Sequence, residues 1–284
     1  MVVSEKPLTG SKANRMAIID MGSNTFNLLV ADVVDQSLRV VHSEKIAVLL
    51  GRGMNSSRHI DAEAAQRALK ALEILQNKAR SLHCIHCFAL ATAAMREAEN
   101  GAELAQEWTA KTDCPIRIIS GEQEAKLIAR GVQAQVPWHS FRSALIMDIG
   151  GGSTECIAIA NGNIEQLWSF KAGAVRMLEA WKGSDPAHKS ELQALDQLHQ
   201  ARFAPLLNHN LPQKPELLLG SSGFFDTLAE LDFQRKAAEQ TRDQAPYSMD
   251  LEQFMDWTMR IQKSSLQERL SWPGMPEFRA PYAV

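Results

Sequence analysis

"LIMDIGGGSTE", residues 145–155, is the stretch that decides the fold. An apolar run ends in Asp148, three glycines follow (Gly150, Gly151, Gly152), and Ser153, Thr154 and Glu155 close the segment. This order reads as a strand that enters a tight glycine turn and leaves it as a second strand. "AIIDMGSNT", residues 17–25, repeats the grammar with Asp20, Gly22, Ser23, Asn24 and Thr25. The two aspartates are 128 residues apart, so the chain reads as a long-period internal duplication.

The surrounding segments fit that reading. "AIIDMGSNTFNLLVADVVDQSLRVVHSEKIAVLL" predicts successive strands broken at "GSN" and "DQS". "SALIMDIGGGSTECIAIANGNIEQLWSF" predicts the same strand, turn, strand, turn, strand order. Between them, Asp61 is placed to cap a helix to about residue 82, and "IHCFALAT" returns to strand. "AMREAENGAELAQEWTAKT" reads as helix, "IRIIS" as strand, and "SGEQEAKLIARGVQAQV" as a helix with Ser120 and Gln123 as a capping box. Residues 232–270 read as polar and helix-like. Alternating strands and helices argue for α/β layers.

Composition excludes several classes. The chain has 284 residues, 45% hydrophobic and 22% charged, with net charge −3, so neither nucleic acid nor membrane is the expected partner. No apolar run approaches bilayer length, and "MVVSEKPLTGSKANR" lacks the apolar core of a signal peptide. Four cysteines are too few for a disulfide scaffold, and a cytoplasmic protein with reduced thiols is expected. "HCIHC", residues 83–87, has CxxC spacing, but strand geometry sends neighbours to opposite faces and argues against zinc.

Glycine turns of this kind permit positive φ and close approach by a ligand. Successive backbone N–H groups then line an anion-binding concavity, and the hydroxyls of Ser23, Thr25, Ser153 and Thr154 add donors. A third turn, "LLLGSSGFFDTL", sets Gly220, Ser221, Ser222 and Gly223 at the start of a helix, itself an anion site. Carboxylates beside a phosphate call for a divalent cation between them, and Mg²⁺ is the expected cofactor. Asp148 is the first candidate ligand, Asp20 assists, and Glu155 either reaches the metal or faces solvent at a strand end. Glu124 shares a helix face with Leu127 and Ile128, which sets a carboxylate on an inward-facing apolar stripe. A salt bridge to an arginine of the neighbouring lobe is its structural alternative. Arg96 suits phosphate oxygens, or else an ion pair with Glu97 or Glu99. Arg176 reads either as support for the phosphate site or as a helix-cap contact.

Six segments carry a resemblance: "AIIDMGSNT", "ATAAMREAENG", "IISGEQEAKLIARGV", "MDIGGGSTE", "FKAGAVRM" and "LLGSSGFFDTLAEL". In this order they resemble the exopolyphosphatase and guanosine pentaphosphate phosphatase (Ppx/GppA) family. The resemblance implies two related actin-like (ribonuclease H-like) α/β lobes with a phosphate-binding cleft between them. It implies a hydrolase that releases terminal phosphate from polyphosphate, guanosine pentaphosphate or both. Glu124 matches the family's general base and Arg96 its cleft arginine, while Gln123 stands where relatives often have Glu. The expected layout is a flexible leader over residues 1–15, one lobe over 16–130 and a second over 131–284, its final helix missing. The HD-type helical domain of longer relatives is not expected here. A non-catalytic sensor of polyphosphate or of guanosine tetra- or pentaphosphate is the alternative, as is an actin-superfold kinase or ATPase. A chaperone of the Hsp70 kind is disfavoured, because its second loop has Asp after Gly-Gly-Gly-Thr where this chain has "GGGSTE". A homodimer stays open.

Overall fold

The computed structural model describes residues 14–34, 37–138, 141–181, 183–236 and 247–283. Of the expected leader, residues 1–13 lie outside the described residues, while Asn14 and Arg15 open the first strand. The chain divides into two compact units, one up to Glu124 and one from Ala125.

The first unit is built on a five-stranded sheet ordered β3-β2-β1-β4-β5. Strands β1 (Asn14–Met21), β2 (Thr25–Val34) and β3 (Ser37–Ala47) form an antiparallel meander, and β4 (His86–Ala91) and β5 (Ile116–Ile118) add in parallel. The second unit has a four-stranded sheet ordered β8-β7-β6-β9. Here β6 (Ser143–Ile149), β7 (Thr154–Ala160) and β8 (Asn163–Phe170) are the meander, and β9 (Leu217–Ser221) is parallel to β6. The two sheets share one topology, a meander with a parallel strand beside its first member. That is the internal duplication read from the two aspartates.

Alternation explains which faces are buried. Ala17, Ile19 and Met21 of β1, with Phe26, Leu28 and Val30 of β2, point to one side and are fully buried. A short helix α1 (Met54–Ser57) precedes α2 (Ala62–Ser81), which covers that core with Ala64, Ala68, Leu72 and Leu75. Asp61 caps α2 as expected, accepting from the Ala64 amide at 2.7 Å.

The segment read as one helix from residue 94 is two, α3 (Ala93–Glu97) and α4 (Gly101–Thr112). Asn100 splits it. Its side chain accepts from the Ile60 amide and donates to the Ile60 carbonyl, an exchange that a helical backbone would not present. Gly101 then packs so closely on the Met95 carbonyl that a Cβ would collide with it.

Helix α5 (Gly121–Gln133) opens on the expected capping box, with the Gln123 amide donating to Ser120 Oγ at 3.1 Å and the Ser120 amide to Gln123 Oε1 at 3.0 Å. In the second unit, Ala125 and Ala129 of α5 pack on Ile146, Ile157 and Ile159 of the sheet. Helices α6 (Ala174–Ala180) and α7 (Lys189–Leu207) cover the other face, around Cys156 and Phe170. Strand β7 is therefore buried along its whole length.

Helices α8 (Gly223–Lys236), α9 (Leu251–Lys263) and α10 (Leu266–Ser271) complete the unit, ahead of a short 3-10 turn at Ala280–Tyr282. They fill most of the stretch read as helix-like, of which residues 237–246 lie outside the described residues. No helix among the described residues is long and apolar enough to cross a membrane.

Candidate active site

The two glycine turns close with the same hydrogen bond. Gly22 N donates to Thr25 O at 3.1 Å, and Gly150 N donates to Ser153 O at 3.0 Å. A side chain at Gly22 or Gly150 would press on that same carbonyl, so close approach explains both glycines. Positive φ does not: among the described residues, none of the glycines of the three turns has it. The left-handed residue of the third turn is Ser222, with φ 67. The expectation of left-handed glycines is thus corrected.

The duplication reaches single bonds. Ser222 Oγ donates to the Ile149 carbonyl at 2.8 Å, and Thr92 Oγ1 donates to the Met21 carbonyl at 3.5 Å, each just after the strand's aspartate.

Each turn is braced from behind. Around Ser23 and Asn24, the amides of Gly51, Val48 and Leu49 donate to the two turn carbonyls. The carboxamide oxygen of Asn24 is buried without a hydrogen-bond partner. Around the triple glycine, the Ala174, Val175 and Arg176 amides donate to Gly150 and Gly151, and Arg176 Nε donates to Gly152 O at 2.9 Å. Arg176 thus holds the glycine loop through its side chain. Gly173 packs against Gly151 and Gly152 where any Cβ would overlap the backbone. Sequence reasoning missed Gly173. It lies in "KAGAV", and only the turn it touches explains it.

The hydroxyls differ in availability. Thr154 is buried and donates to the Ala172 carbonyl at 2.8 Å, so its proton is committed within the fold. Ser222 is committed to Ile149 in the same way. Ser23 and Ser153 are buried in their turns. Gly223 begins α8, and the Arg279 guanidinium lies directly against it. Burial pushes the Arg279 pKa down while the Asp226 charge pulls it up. Nothing in "EFRAP" signals this arginine, which reaches the turn only through the tertiary fold.

The acids sit at equivalent ladder positions. Asp20 pairs with Asn27 across β1 and β2, and Asn27 Nδ2 donates to Asp20 Oδ2 at 2.9 Å. Asp148 pairs with Glu155 across β6 and β7, so both side chains share the face on which Ala125 and Ala129 pack. Glu155 is 1% exposed and accepts from Ser169 Oγ at 2.7 Å, which corrects the solvent-facing alternative. Burial raises the Asp148 pKa above the ordinary carboxylate range, against the pull of Ser221. The Asp226 charge adds to that rise, so a cation beside Asp148 would be favoured. Mg²⁺ takes one or two carboxylates together with phosphate oxygens and water, so Asp148 and Glu155 fit it.

Glu124 lies in the first turn of α5 and Arg96 in the last turn of α3. Arg96 Nη1 donates to Glu124 Oε2 at 2.8 Å and to the Ile119 carbonyl at 3.0 Å. Their side chains are 16% and 21% exposed. The ion pair shown for Arg96 is with Glu124, and Glu99 lies 3.9 Å from Arg58. Glu124 thus has the salt bridge to an arginine expected as its alternative, from its own unit rather than the neighbouring lobe. Of the expected apolar stripe, Ile128 packs inward with Ala125 and Ala129, whereas Leu127 is exposed. Glu124 lies at the edge of that face.

The Ppx/GppA phosphatase family model matches residues 29–284. The chain belongs to the Ppx/GppA phosphatase family. As a Ppx/GppA protein it is an enzyme of the phosphoanhydride hydrolase class. The crystal structure of an exopolyphosphatase from Cytophaga hutchinsonii is 33% identical, over 95% of this chain and 86% of that one, with TM-score 0.89. The Ppx/GppA member from Aquifex aeolicus is 20% identical, over 96% and 87% of the two chains, with TM-score 0.74. The second likeness is one of fold, and both agree with an actin-like α/β architecture built on two sheets.

Proposed function

We propose that this Ppx/GppA protein releases terminal orthophosphate from inorganic polyphosphate, with Glu124 as general base and Asp148 as the principal Mg²⁺ ligand. The observation that carries the substrate is the 33% identity to an exopolyphosphatase across 95% of the chain.

In this reading Glu124 takes the proton of a water as its oxygen attacks the terminal phosphorus. The phosphoanhydride bond breaks, and the shortened chain leaves on its bridging oxygen. Arg96 fixes the carboxylate's orientation through the bond at 2.8 Å. The amides of residues 22–25, 150–153 and 220–223 supply the phosphate contacts, with Arg279 beside the third turn. Asp148 and Glu155 would hold Mg²⁺, with Asp20 assisting, and the ion would neutralise charge on the phosphate oxygens. Four free cysteines suit a reducing, cytoplasmic compartment.

The test is phosphate release from long-chain polyphosphate and from guanosine pentaphosphate, each with Mg²⁺ and with excess EDTA. Faster, Mg²⁺-dependent release from polyphosphate is expected. Preference for guanosine pentaphosphate overturns the substrate assignment. Binding of either without release favours a sensor.

A further inference from the structure

Two thiols that the proposed reaction does not use face each other in the first unit. The β4–β5 ladder pairs Ala89 with Ile116, Leu90 with Arg117 and Ala91 with Ile118. The same register carried back two residues sets Cys87 opposite Cys114. Their sulfurs lie 3.8 Å apart. Adjacent strands are spaced about 4.8 Å, inside the Cα separation that a disulfide spans. Cys114 is buried, and Cys87 is half-buried at the start of β4, within reach of a small solute.

We propose that Cys87 and Cys114 form a dithiol site that a hydroperoxide oxidises to an intrachain disulfide. The two thiols are chemically unlike. Hydrogen bonding with Cys114 holds the Cys87 pKa below the usual thiol range, while the same bond and burial push Cys114 up. Cys87 is half-buried and Cys114 buried, so access makes Cys87 the attacking sulfur and Cys114 the resolving one. Cys84 is pushed up by burial, which disfavours it as the attacker.

With hydrogen peroxide, the Cys87 thiolate attacks one oxygen. An S–O bond forms, the O–O bond breaks, and the hydroxide released takes up the proton lost by Cys87. The Cys114 sulfur then attacks the Cys87 sulfenic acid. The S–S bond forms, the S–O bond breaks, and the departing hydroxyl leaves as water with the Cys114 proton. Two thiols lose two electrons in all, and one peroxide becomes two waters.

The position gives the bond a consequence. Strand β4 runs through Thr92 into α3 and Arg96, and β5 runs through Ser120 into α5 and Glu124. A link at the N-terminal ends of these strands ties down the ladder that brings Arg96 to Glu124, and it shortens the unfolded chain's loop.

The experiment treats the full chain with hydrogen peroxide, blocks free thiols by alkylation and maps the peptides without reduction. A linked peptide containing Cys87 and Cys114 is expected, lost on dithiothreitol treatment and in Cys87→Ser but kept in Cys84→Ser. The linked protein should melt higher than the reduced one. Cys87→Ser carries the control because Cys114 is in the core. The proposal is overturned if both thiols stay alkylatable, if Cys87 accumulates as sulfinic acid without a linked peptide, or if Cys87 links to Cys84. A melting point that does not rise in the linked form overturns the tie to the ladder.

Discussion

Arg96 and Glu124 share an ion pair of 2.8 Å that joins the helix after β4 to the helix after β5. Arg96 also holds the Ile119 carbonyl, the backbone just ahead of α5. The nitrogen that holds the carboxylate is thus itself anchored on the backbone, since Nη1 makes both bonds.

Glu124→Gln keeps the size and an acceptor oxygen for Arg96 but cannot take a proton from water. Turnover should fall by about 10²–10⁴-fold, with substrate binding retained or slightly tightened. Loss of the charge-assisted bond should reduce stability by only about 1–2 kcal/mol. Turnover and thermal unfolding on the same preparation check this. Near-normal turnover per folded molecule would remove Glu124 from the base role and make Glu155 the next residue to test.

Arg96→Met frees Glu124 to rotate. A drop in kcat with little change in KM is expected, because the effect passes through the base. Arg96→Lys should recover part of it, since both bonds leave the single nitrogen Nη1 and an ammonium keeps the charge on a shorter stem. A KM rise with unchanged kcat would instead put Arg96 on the substrate.

Asp148→Asn should abolish or strongly weaken activation by Mg²⁺, and excess EDTA should silence the unaltered protein. The pH sign follows from burial, which raises the Asp148 pKa. Its folded, metal-free form gains stability when protonated at low pH and loses it as pH rises through the raised pKa. Mg²⁺ needs the ionised carboxylate, so stabilisation by Mg²⁺ should grow with pH through that same window. Thermal unfolding with and without Mg²⁺ across the acidic range reads this directly.

Asp232 anchors α8 to α9 from a fully buried position. Lys236, Tyr247, Arg235 and Trp257 all donate to it, the Tyr247 hydroxyl at 2.5 Å and Trp257 Nε1 at 2.9 Å. Burial pushes its pKa up, but these bonds outweigh burial and hold it at about 2, below the usual carboxylate range. The stabilisation is present above the unfolded value and is lost as pH falls from there toward 2, on the order of 2 kcal/mol in all. Asp232→Ala should cost about 3 kcal/mol, the low end for a broken buried pair, because Lys236 and Arg235 regain water. Chemical denaturation of both proteins near neutral pH and in acid checks both statements.

Gly173→Ala places a Cβ into the backbone of Gly151 and Gly152. The loop must move, at a cost of about 1–3 kcal/mol, and phosphate contacts by residues 150–153 move with it. Both a lower melting point and a higher KM are expected. A lower melting point with KM unchanged would separate the brace from phosphate binding. Arg279→Met, in contrast, should raise KM with the melting point nearly kept.

Most of the fold was legible locally. Alternating apolar positions, an Asp cap and a Ser–Gln capping box are signals carried by a few adjacent residues. The candidate site was legible where a residue lies inside a repeated motif, as with Asp20 and Asp148. It failed where function depends on a neighbour far along the chain. Arg96 and Glu124 are 28 residues apart, so a salt bridge was foreseeable for Glu124 but its arginine was not. A helical wheel placed Ile128 inward correctly and Leu127 wrongly because it knows nothing of the sheet beneath.

The sequence by itself determined the two glycine turns, their aspartates and the order of strands around them, because turn geometry and strand alternation are local properties of the backbone. Only the tertiary structure decided which groups are free to act. It took the Thr154 and Ser222 hydroxyls into backbone hydrogen bonds, buried Glu155 opposite Asp148, and set Arg96 on Glu124 and Arg279 against Gly223. The physical reason is that a polar atom's availability depends on what desolvates it and what bonds it. In a folded chain those partners come from any distance in sequence.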